Sequence, residues 1–295
     1  MPGTDLPAII VAALDAFAAG RRAVRALQHG EHLRTGSTNT SWRIRSDGVD
    51  WVVRASLGHD TALGVDRSRE LDLHRRAAQA GYAPVIVHAD PASGVLVTEF
   101  EASGSPAREV ARQRDFCATV GERLAGLHAL PVPAGIARFD VLDALAEYLE
   151  RPPPADVPVP RPVVATALRR AVALYRPAGL ALCHHDLHHG NLVLGPPLRF
   201  LDWEFAAFGD PWLDLAAYAS YQDLDSPART ALLDGYGKAT RTAPQAFEPL
   251  VTLFDCLRAL WSDAAGAWPV LSAAQVNALA ERLHAAGGEP ATLQG

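Results

Sequence analysis

Alternating apolar and polar positions predict β-structure in the first hundred residues. Trp42-Arg-Ile-Arg45 and Trp51-Val-Val-Arg54 flank Asp47-Gly48, a dipeptide typical of a tight turn between two strands. A second strand pair is predicted at Val85-Ile-Val-His88 and Val95-Leu-Val-Thr98. These four segments indicate a small antiparallel sheet.

Helical spacing dominates the rest of the chain. Helices are predicted over 7–28 and 67–80, because apolar residues recur every three or four positions and a glycine follows each segment. Further helices are predicted near 163–175, 212–222, 227–240, 246–264 and 272–286. Six prolines within 151–162 predict an extended surface loop there. We therefore expect a sheet-bearing lobe at 1–100 and a larger, mostly helical lobe at 101–295.

Charge and cysteine content narrow the range of partners. The chain has 295 residues, a formal net charge of −6 and no basic run, so we expect neither nucleic acid nor membrane as a partner. No apolar run reaches the roughly 20 residues of a transmembrane helix. Three widely spaced cysteines match no metal-binding spacing and favour a reduced, cytoplasmic protein. No feature indicates an obligate protein partner.

The candidate chemistry lies in two short segments, Cys-His-His-Asp-Leu-His-His-Gly-Asn at 183–191 and Leu-Asp-Trp-Glu at 201–204. Asp186 stands five residues before Asn191, and Asp202 follows Asn191 by eleven. A carboxylate can orient an attacking hydroxyl, while an amide and a second carboxylate hold Mg²⁺ against phosphates; protein kinases space their catalytic Asp and metal-binding Asn in the same way. These residues predict phosphoryl transfer from a nucleotide.

The histidines in the same segment leave a different interpretation open. His184 and His188, like His185 and His189, are four residues apart, as in zinc-binding pairs on a helix. Gly190 and the strand-like flanks argue against a helix at this point. A zinc hydrolase nevertheless remains an alternative hypothesis.

Taken together, these segments resemble the aminoglycoside phosphotransferase and choline kinase family, and most closely its choline kinase-like and bacterial thiamine kinase-like branch. The resemblance covers roughly 30–265. It rests on Thr35-Gly36-Ser37-Thr38-Asn39, on Leu201-Asp-Trp-Glu-Phe205, and on Gly209-Asp-Pro-Trp-Leu-Asp-Leu-Ala216. It implies an α+β, protein-kinase-like fold of two lobes and a kinase that uses ATP and Mg²⁺ to phosphorylate a small alcohol.

The resemblance also implies roles for individual residues. Asp186 orients the acceptor hydroxyl or acts as the base, Asn191 and Asp202 bind Mg²⁺, and His184 and Asp214 brace the loop. The residues implied in nucleotide binding are Gly36, Ser37, Thr38, Asn39, Arg54, Glu70, Glu99 and Phe100. Within this set, Arg54 contacts phosphates and Glu70 pairs with it, with Asp72 as the competing partner; the backbone of Glu99 and Phe100 contacts adenine.

The acceptor stays open at this stage. Trp203, Glu204 and Trp261 are candidate substrate contacts, and Tyr221 is one of several further aromatic residues that could form a pocket wall. Aromatic faces beside a carboxylate suit a quaternary ammonium or thiazolium cation, which favours choline, ethanolamine or thiamine. An aminoglycoside or sugar phosphotransferase and a catalytically silent kinase-fold binding protein are the alternatives.

Overall fold

The computed structural model describes residues 4–5, 8, 11, 29–36, 38–46, 48–58, 60, 64–151, 161–240, 247–264 and 273–287. The chain forms two compact units. The first comprises Met1–Ser105 and Asn191–Phe205, and the second comprises Pro106–Gly190 and Ala206–Gly295. The sequence assigned 191–205 to the helical lobe, whereas its contacts group it with the sheet; the predicted lobe boundary at 100/101 itself stays a prediction.

The first unit is built on an antiparallel sheet with the strand order β1-β2-β3-β4-β6-β5. The strands are β1 Thr4–Asp5, β2 His29–Thr35, β3 Asn39–Ser46, β4 Val49–Ser56, β5 Ile86–Asp90 and β6 Val95–Glu99. Both predicted strand pairs are confirmed, and Gly48 adopts a positive φ of 78° in the turn between β3 and β4. β2 was not predicted, because its sequence, His-Gly-Glu-His-Leu-Arg-Thr, lacks apolar alternation.

The helix α1 at Arg67–Gln79 accompanies the sheet. The carboxylate of Asp66 accepts hydrogen bonds from the backbone N–H groups of Ser68 and Arg69, which is a standard N-terminal cap. Gly81 follows with a φ of 77°, so the predicted end of this helix is confirmed. Arg67 and Glu70 lie on the buried side of α1, although both are charged.

A short hairpin completes the first unit and positions two polar side chains. β8 at Leu192–Val193 pairs with β9 at Arg199–Phe200. The backbone N–H of Leu201 donates to the carbonyl of Asn191 at 2.8 Å. Asn191 immediately precedes β8 and Asp202 follows the end of β9 by two residues, so the hairpin brings these two residues to the same end.

The second unit is mostly helical. Its helices are α2 Arg108–Ala111, α3 Arg114–His128, α4 Val141–Glu150, α5 Arg161–Leu174, α6 Trp212–Gln222, α7 Ser226–Thr240, α8 Phe247–Ala264 and α9 Ala273–Gly287. The predicted helices are confirmed to within two residues. α5 begins at Arg161 rather than 163, because Pro162 fits the first turn of a helix. The predicted proline-rich loop is therefore two residues shorter than expected; its remainder, 152–160, lies outside the described residues.

The second unit also contains a two-stranded sheet of β7 at Ala181–Cys183 and β10 at Ala207–Gly209. Glycines allow α3 and α7 to approach closely: a Cβ on Gly121 would lie 2.1 Å from the carbonyl oxygen of Leu232, and one on Gly235 2.1 Å from that of Ala118. Among the described helices, none has the length and apolar composition to cross a membrane. The helix predicted over 7–28 falls almost entirely outside the described residues.

Candidate active site

The two predicted metal ligands are brought together by the guanidinium group of Arg34. Arg34 Nη2 lies 2.6 Å from Asp202 Oδ2, and both terminal nitrogens of Arg34 lie 3.3 Å from Asn191 Oδ1. Asn191 is buried, whereas the side chain of Arg34 is 42% exposed. Oxygen atoms from Asn191 and Asp202 therefore converge on one positively charged group.

Asp202 has a backbone φ of 63°, in the left-handed region that non-glycine residues rarely occupy. Its other oxygen, Oδ1, accepts a hydrogen bond from Arg54 Nη1 at 2.8 Å. Such conformations cost free energy and are concentrated at functional sites. This residue combines a strained backbone with two guanidinium partners.

Arg54, on β4, is buried and pairs with the carboxylate of Glu70 on α1. Burial opposes the charged form of Arg54, but the carboxylates of Glu70, Asp202 and Glu204 outweigh it and raise the pKa of the guanidinium. Asp72, the competing partner, is exposed, and its nearest arginine, Arg75, is 4.0 Å away. The structure thus pairs Arg54 with Glu70.

A buried network links the predicted phosphate loop to Glu204. Thr38 Oγ1 donates to Glu204 Oε1 at 2.7 Å, and Asn39 Nδ2 donates to Glu204 Oε2 at 2.8 Å. Arg67 donates to Asn39 Oδ1 at 2.9 Å and to Glu204 Oε2 at 3.2 Å. Burial and the neighbouring Asp202 carboxylate raise the pKa of Glu204 to about 8, against these donors and Arg54. The structure therefore places Glu204 among residues of the phosphate loop, in a setting that differs from the substrate contact suggested by sequence.

The remaining predicted nucleotide contacts lie along the sheet. The N–H of Gly36 donates to the carbonyl of Asn39 at 2.8 Å and closes the turn between β2 and β3, while Ser37 lies outside the described residues. The N–H of Glu99 donates to Val85 O at 3.0 Å, and that of Phe100 donates to Asp50 O at 3.1 Å. Adenine recognition through these N–H groups requires an exchange of those bonds, and it stays a prediction.

In the second unit, Asp214 on α6 holds the segment that contains Asp186. Its carboxylate accepts the backbone N–H of His184 at 2.8 Å and that of His185 at 2.7 Å, and His128 Nε2 lies 3.1 Å from Oδ2. Burial alone disfavours the charged form of Asp214, but the hydrogen bond and charge of His128 and these N–H groups lower its pKa to about 2. These hydrogen bonds tie Asp214 to the backbone of the segment, and its role as a brace stays a prediction.

Asp186 is held by its neighbours on both the backbone and the side chain. Its N–H donates to His184 Nδ1 at 3.3 Å, and its Oδ1 accepts a hydrogen bond from the hydroxyl of Tyr221 at 2.7 Å. Tyr221 lies on α6, as Asp214 does. One helix therefore contacts both the start of the segment and its carboxylate.

Three of the four clustered histidines form hydrogen bonds through a ring nitrogen. Besides His184, His188 Nδ1 accepts the N–H of Gly190 at 3.0 Å, and His189 Nδ1 lies 3.2 Å from Gln222 Oε1. Within the described part of the chain, the ligand atoms that converge to within 4.8 Å belong instead to His128, Cys183 and Asp214. The histidine set proposed for zinc is thus not the set that the fold gathers.

The two tryptophans predicted at the acceptor site occupy different environments. Trp203 is fully buried in the first unit, and its indole N–H donates to the carbonyl of Phe200 at 3.0 Å. This position is that of a core residue. Trp261 lies on α8 and is half-buried.

Sequence reasoning missed two of the arginines that matter most here. Arg67 was not singled out among the charges of α1, although it stands three residues before Glu70 and therefore on the same face of the helix. Arg34 lies on the unpredicted strand β2, and no local pattern marks it. Tyr221 was considered only as a pocket wall, whereas its hydroxyl contacts Asp186.

Comparison with known proteins agrees with this arrangement. Residues 29–250 match the model of the phosphotransferase enzyme family. The chain is 24% identical over 214 residues to protein LicA of Haemophilus influenzae, a match that covers 70% of this chain and 62% of that protein's length.

Two solved structures show the same fold. A choline/ethanolamine kinase family protein from Mesorhizobium loti has a TM-score of 0.71 and 24% identity, with 95% of this chain and 93% of that chain covered. A macrolide 2′-phosphotransferase from Brachybacterium faecium has a TM-score of 0.65 and 21% identity, with 92% and 97% covered. The predicted kinase-like α+β fold and the predicted enzyme class are confirmed, and this chain belongs to the phosphotransferase enzyme family.

Proposed function

We propose that this phosphotransferase is a kinase that uses ATP and Mg²⁺ to phosphorylate a hydroxyl group of a small molecule. The observation that carries the proposal is the convergence of Asn191 Oδ1 and Asp202 Oδ2 on the guanidinium of Arg34. The cationic guanidinium of Arg34 stands between two hard oxygen donors. The residues that carry these donors follow Asp186, the candidate base, by five and sixteen positions.

The donor set fits Mg²⁺. This ion prefers oxygen ligands and is usually bound through one or two protein side chains together with waters and substrate phosphates. Asn191 and Asp202 would supply the protein ligands, with the guanidinium of Arg34 marking the position of positive charge. When bound, Mg²⁺ supplies charge neutralisation for the phosphates during transfer.

Arg54 and the turn before β3 are the proposed phosphate contacts. Arg54 is fixed by Glu70, and its guanidinium can form paired hydrogen bonds to phosphate oxygens. Gly36 leaves room for backbone N–H groups to approach an anion. The buried bonds of Thr38, Asn39 and Arg67 to Glu204 hold this turn in one conformation.

Asp186 is the proposed base or orienting group. The acceptor oxygen forms a bond to the γ-phosphorus as the bond to the β-phosphate oxygen breaks, and the hydroxyl proton passes to Asp186. Because the transition state is loose, orientation of the hydroxyl contributes more than basicity. The intact set of Asp186, Asn191, Asp202 and Arg54 favours this function over a silent binding protein.

Choline or ethanolamine is the proposed acceptor class, supported by the family named for the Mesorhizobium loti structure. Thiamine and sugars stay in the test panel because they were equal or alternative expectations, and antibiotic acceptors stay because a macrolide phosphotransferase has the same fold. A cytoplasmic location is proposed from the three unpaired, buried cysteines, which suit a reducing compartment.

The direct test is release of ADP from ATP and Mg²⁺ in the presence of choline, ethanolamine, thiamine, aminoglycosides, macrolides or sugars. We expect one acceptor to stimulate turnover and Asp186→Asn to lower it by at least about a thousandfold while ATP still binds, because orientation and proton transfer are both lost. Asp115→Asn, at an exposed position on α3, serves as the control for the loss of a carboxylate. Turnover retained in Asp186→Asn would contradict the assignment of this residue.

A further inference from the structure

We infer that Tyr221 is a positioning residue that fixes the carboxylate of Asp186 through its phenolic hydroxyl. The inference rests on the proposed function and adds a residue to it. The hydroxyl of Tyr221 donates to Asp186 Oδ1 at 2.7 Å. Burial, followed by the nearby charge of Asp186, raises the pKa of Tyr221 far above its ordinary value, so the hydroxyl remains a donor.

The ring of Tyr221 is itself restrained on several sides. The guanidinium carbon of Arg258 lies 4.1 Å from the ring centroid, a cation–π distance. The rings of Phe254 and His188 each lie 5.5 Å away in edge-to-face geometry. A ring held in this way delivers its hydroxyl to one place, which is what an orienting group requires.

Arg258 is anchored in turn by buried polar groups. Its Nη1 donates to Ser220 Oγ at 2.8 Å and lies 3.9 Å from Asp255 Oδ1. Asp255 is buried and also accepts from Arg282 at 3.1 Å. The chain of contacts from Asp255 through Arg258 to Tyr221 lies entirely within the second unit.

The position of Tyr221 on α6 explains why it acts together with Asp214. The two residues are seven positions apart, which places them two turns apart on one face of the helix. Asp214 binds the backbone at His184 and His185, and Tyr221 binds the side chain of Asp186. The helix thus fixes both the backbone path of the segment and the orientation of the Asp186 carboxylate.

The kinetic test compares Tyr221→Phe with the matched control Tyr218→Phe. Tyr218 lies on the same helix, and its buried hydroxyl donates to the carbonyl of Ala111 at 2.7 Å, so its loss removes a similar bond elsewhere. With the best acceptor of the panel, Tyr221→Phe should lower kcat roughly tenfold and leave the KM for ATP unchanged. Tyr218→Phe should change neither.

A second test needs no turnover. The melting temperature of Tyr221→Phe should fall below that of the wild type at pH 7, because a buried hydrogen bond is lost. The same comparison is made in the Asp186→Asn background. There the gap should be smaller, because the carboxylate that accepts the bond is absent.

These outcomes separate the inference from the function on which it rests. Equal effects of Tyr221→Phe and Tyr218→Phe on kcat would overturn the positioning role while leaving the kinase intact. A wild-type protein that phosphorylates no acceptor would overturn the proposed function and the positioning role with it. In that case a stability gap that shrinks in the Asp186→Asn background would show that the Tyr221–Asp186 bond exists without a catalytic purpose.

Discussion

The carboxylate of Asp202 accepts hydrogen bonds from two arginines, one on each oxygen. Arg54 is buried and held by Glu70, whereas Arg34 is 42% exposed and also contacts Asn191. Partly exposed ion pairs contribute little stability, typically below about 1 kcal/mol. Arg34 is therefore the partner that a metal ion can displace from Asp202 and Asn191 at low cost.

This competition predicts the effect of Arg34→Gln on metal affinity. Without the guanidinium, Mn²⁺ added as a probe should bind the nucleotide-free protein up to about fivefold more tightly, since up to about 1 kcal/mol of competing interaction is removed. Electron paramagnetic resonance of free Mn²⁺ measures the affinity directly. Arg45→Gln is the matched control, because Arg45 makes its ion pair with Asp50. Unchanged or weaker binding in Arg34→Gln would contradict the competition.

At the scale of elements, α6 holds the segment around Asp186 through residues spaced along one helix. Asp214 accepts the backbone N–H of His184, and the hydroxyl of Tyr221 donates to the carboxylate of Asp186. The side-chain oxygen of Gln222 lies 3.2 Å from His189 Nδ1. Loops carry functional residues, but their conformation depends on a rigid support. Here the support is a helix with a fully buried aspartate at its first turn.

The lowered pKa of Asp214 predicts how its substitution depends on pH. Its folded-state pKa of about 2 lies below the ordinary 3.8, so the stability it contributes is fully present above about pH 4 and is lost as pH falls toward 2. Asp214→Asn should cost roughly 2–3 kcal/mol at pH 7, and its difference from wild type should shrink below pH 4. Urea unfolding at several pH values measures both effects.

Asp223→Asn, at the C-terminal cap of the same helix, provides the comparison. Asp223 is 53% exposed and lies 3.6 Å from Arg282, so its loss should cost well under about 1 kcal/mol. Its φ of 52° is a conformation that asparagine tolerates well. Equal losses of unfolding free energy in the two variants would show that the burial of Asp214 and its bonds to His184 and His185 add no stability beyond that of an exposed aspartate.

The elements that could be predicted from sequence are those with strong periodicity. Helices such as α6 and α8 repeat apolar residues at 3.6-residue spacing, and β3 and β4 alternate around Asp47-Gly48. β2 carries mostly polar residues, so its place in the sheet depends on backbone pairing with β3. The grouping of 191–205 with the sheet depends on long-range bonds such as Phe200 N–H to Tyr82 O, which no local pattern encodes.

The same distinction applies to the candidate site. Asp186, Asn191 and Asp202 were identifiable because they stand at fixed spacing in one short stretch. Arg34 and Arg67 were not, since their roles depend on partners more than a hundred residues away, Asn191 and Glu204. Residue spacing predicts the chemistry of a single segment, whereas tertiary contacts decide which distant charged residues belong to the same site.

At the scale of the whole molecule, the residues with proposed roles are divided between the two compact units. Asp186 belongs to the second unit, and Asn191 and Asp202 belong to the first, with the chain passing from one to the other between Gly190 and Asn191. The family match over 29–250 spans residues of both. Binding of nucleotide and metal can therefore be separated experimentally from phosphoryl transfer.

Thermal unfolding provides that separation. A ligand that binds only the folded protein stabilises it by about 2.7 kcal/mol at a hundred times its Kd, which for a chain of this size raises the melting temperature by several degrees. ATP with Mg²⁺ should raise the wild-type melting temperature more than ATP alone, because Asn191 and Asp202 add metal contacts that the nucleotide cannot make. Asp202→Asn should lose the part of the rise in melting temperature that depends on Mg²⁺ and keep the part that is due to ATP.

Asp50→Asn is the control, because it removes a carboxylate that is paired with Arg43 and Arg45 on the sheet. This variant should keep both the ATP-dependent and the Mg²⁺-dependent rise in melting temperature. An equal Mg²⁺ increment in Asp202→Asn and wild type would mean that the metal is held by the nucleotide alone, and Asp202 would then serve only to fix Arg54. Two separate unfolding transitions would add information, because the one raised by ATP identifies the unit that binds the nucleotide. We expect it to be the sheet-bearing unit, since the Arg54–Glu70 pair and the Gly36–Asn39 turn both lie within it.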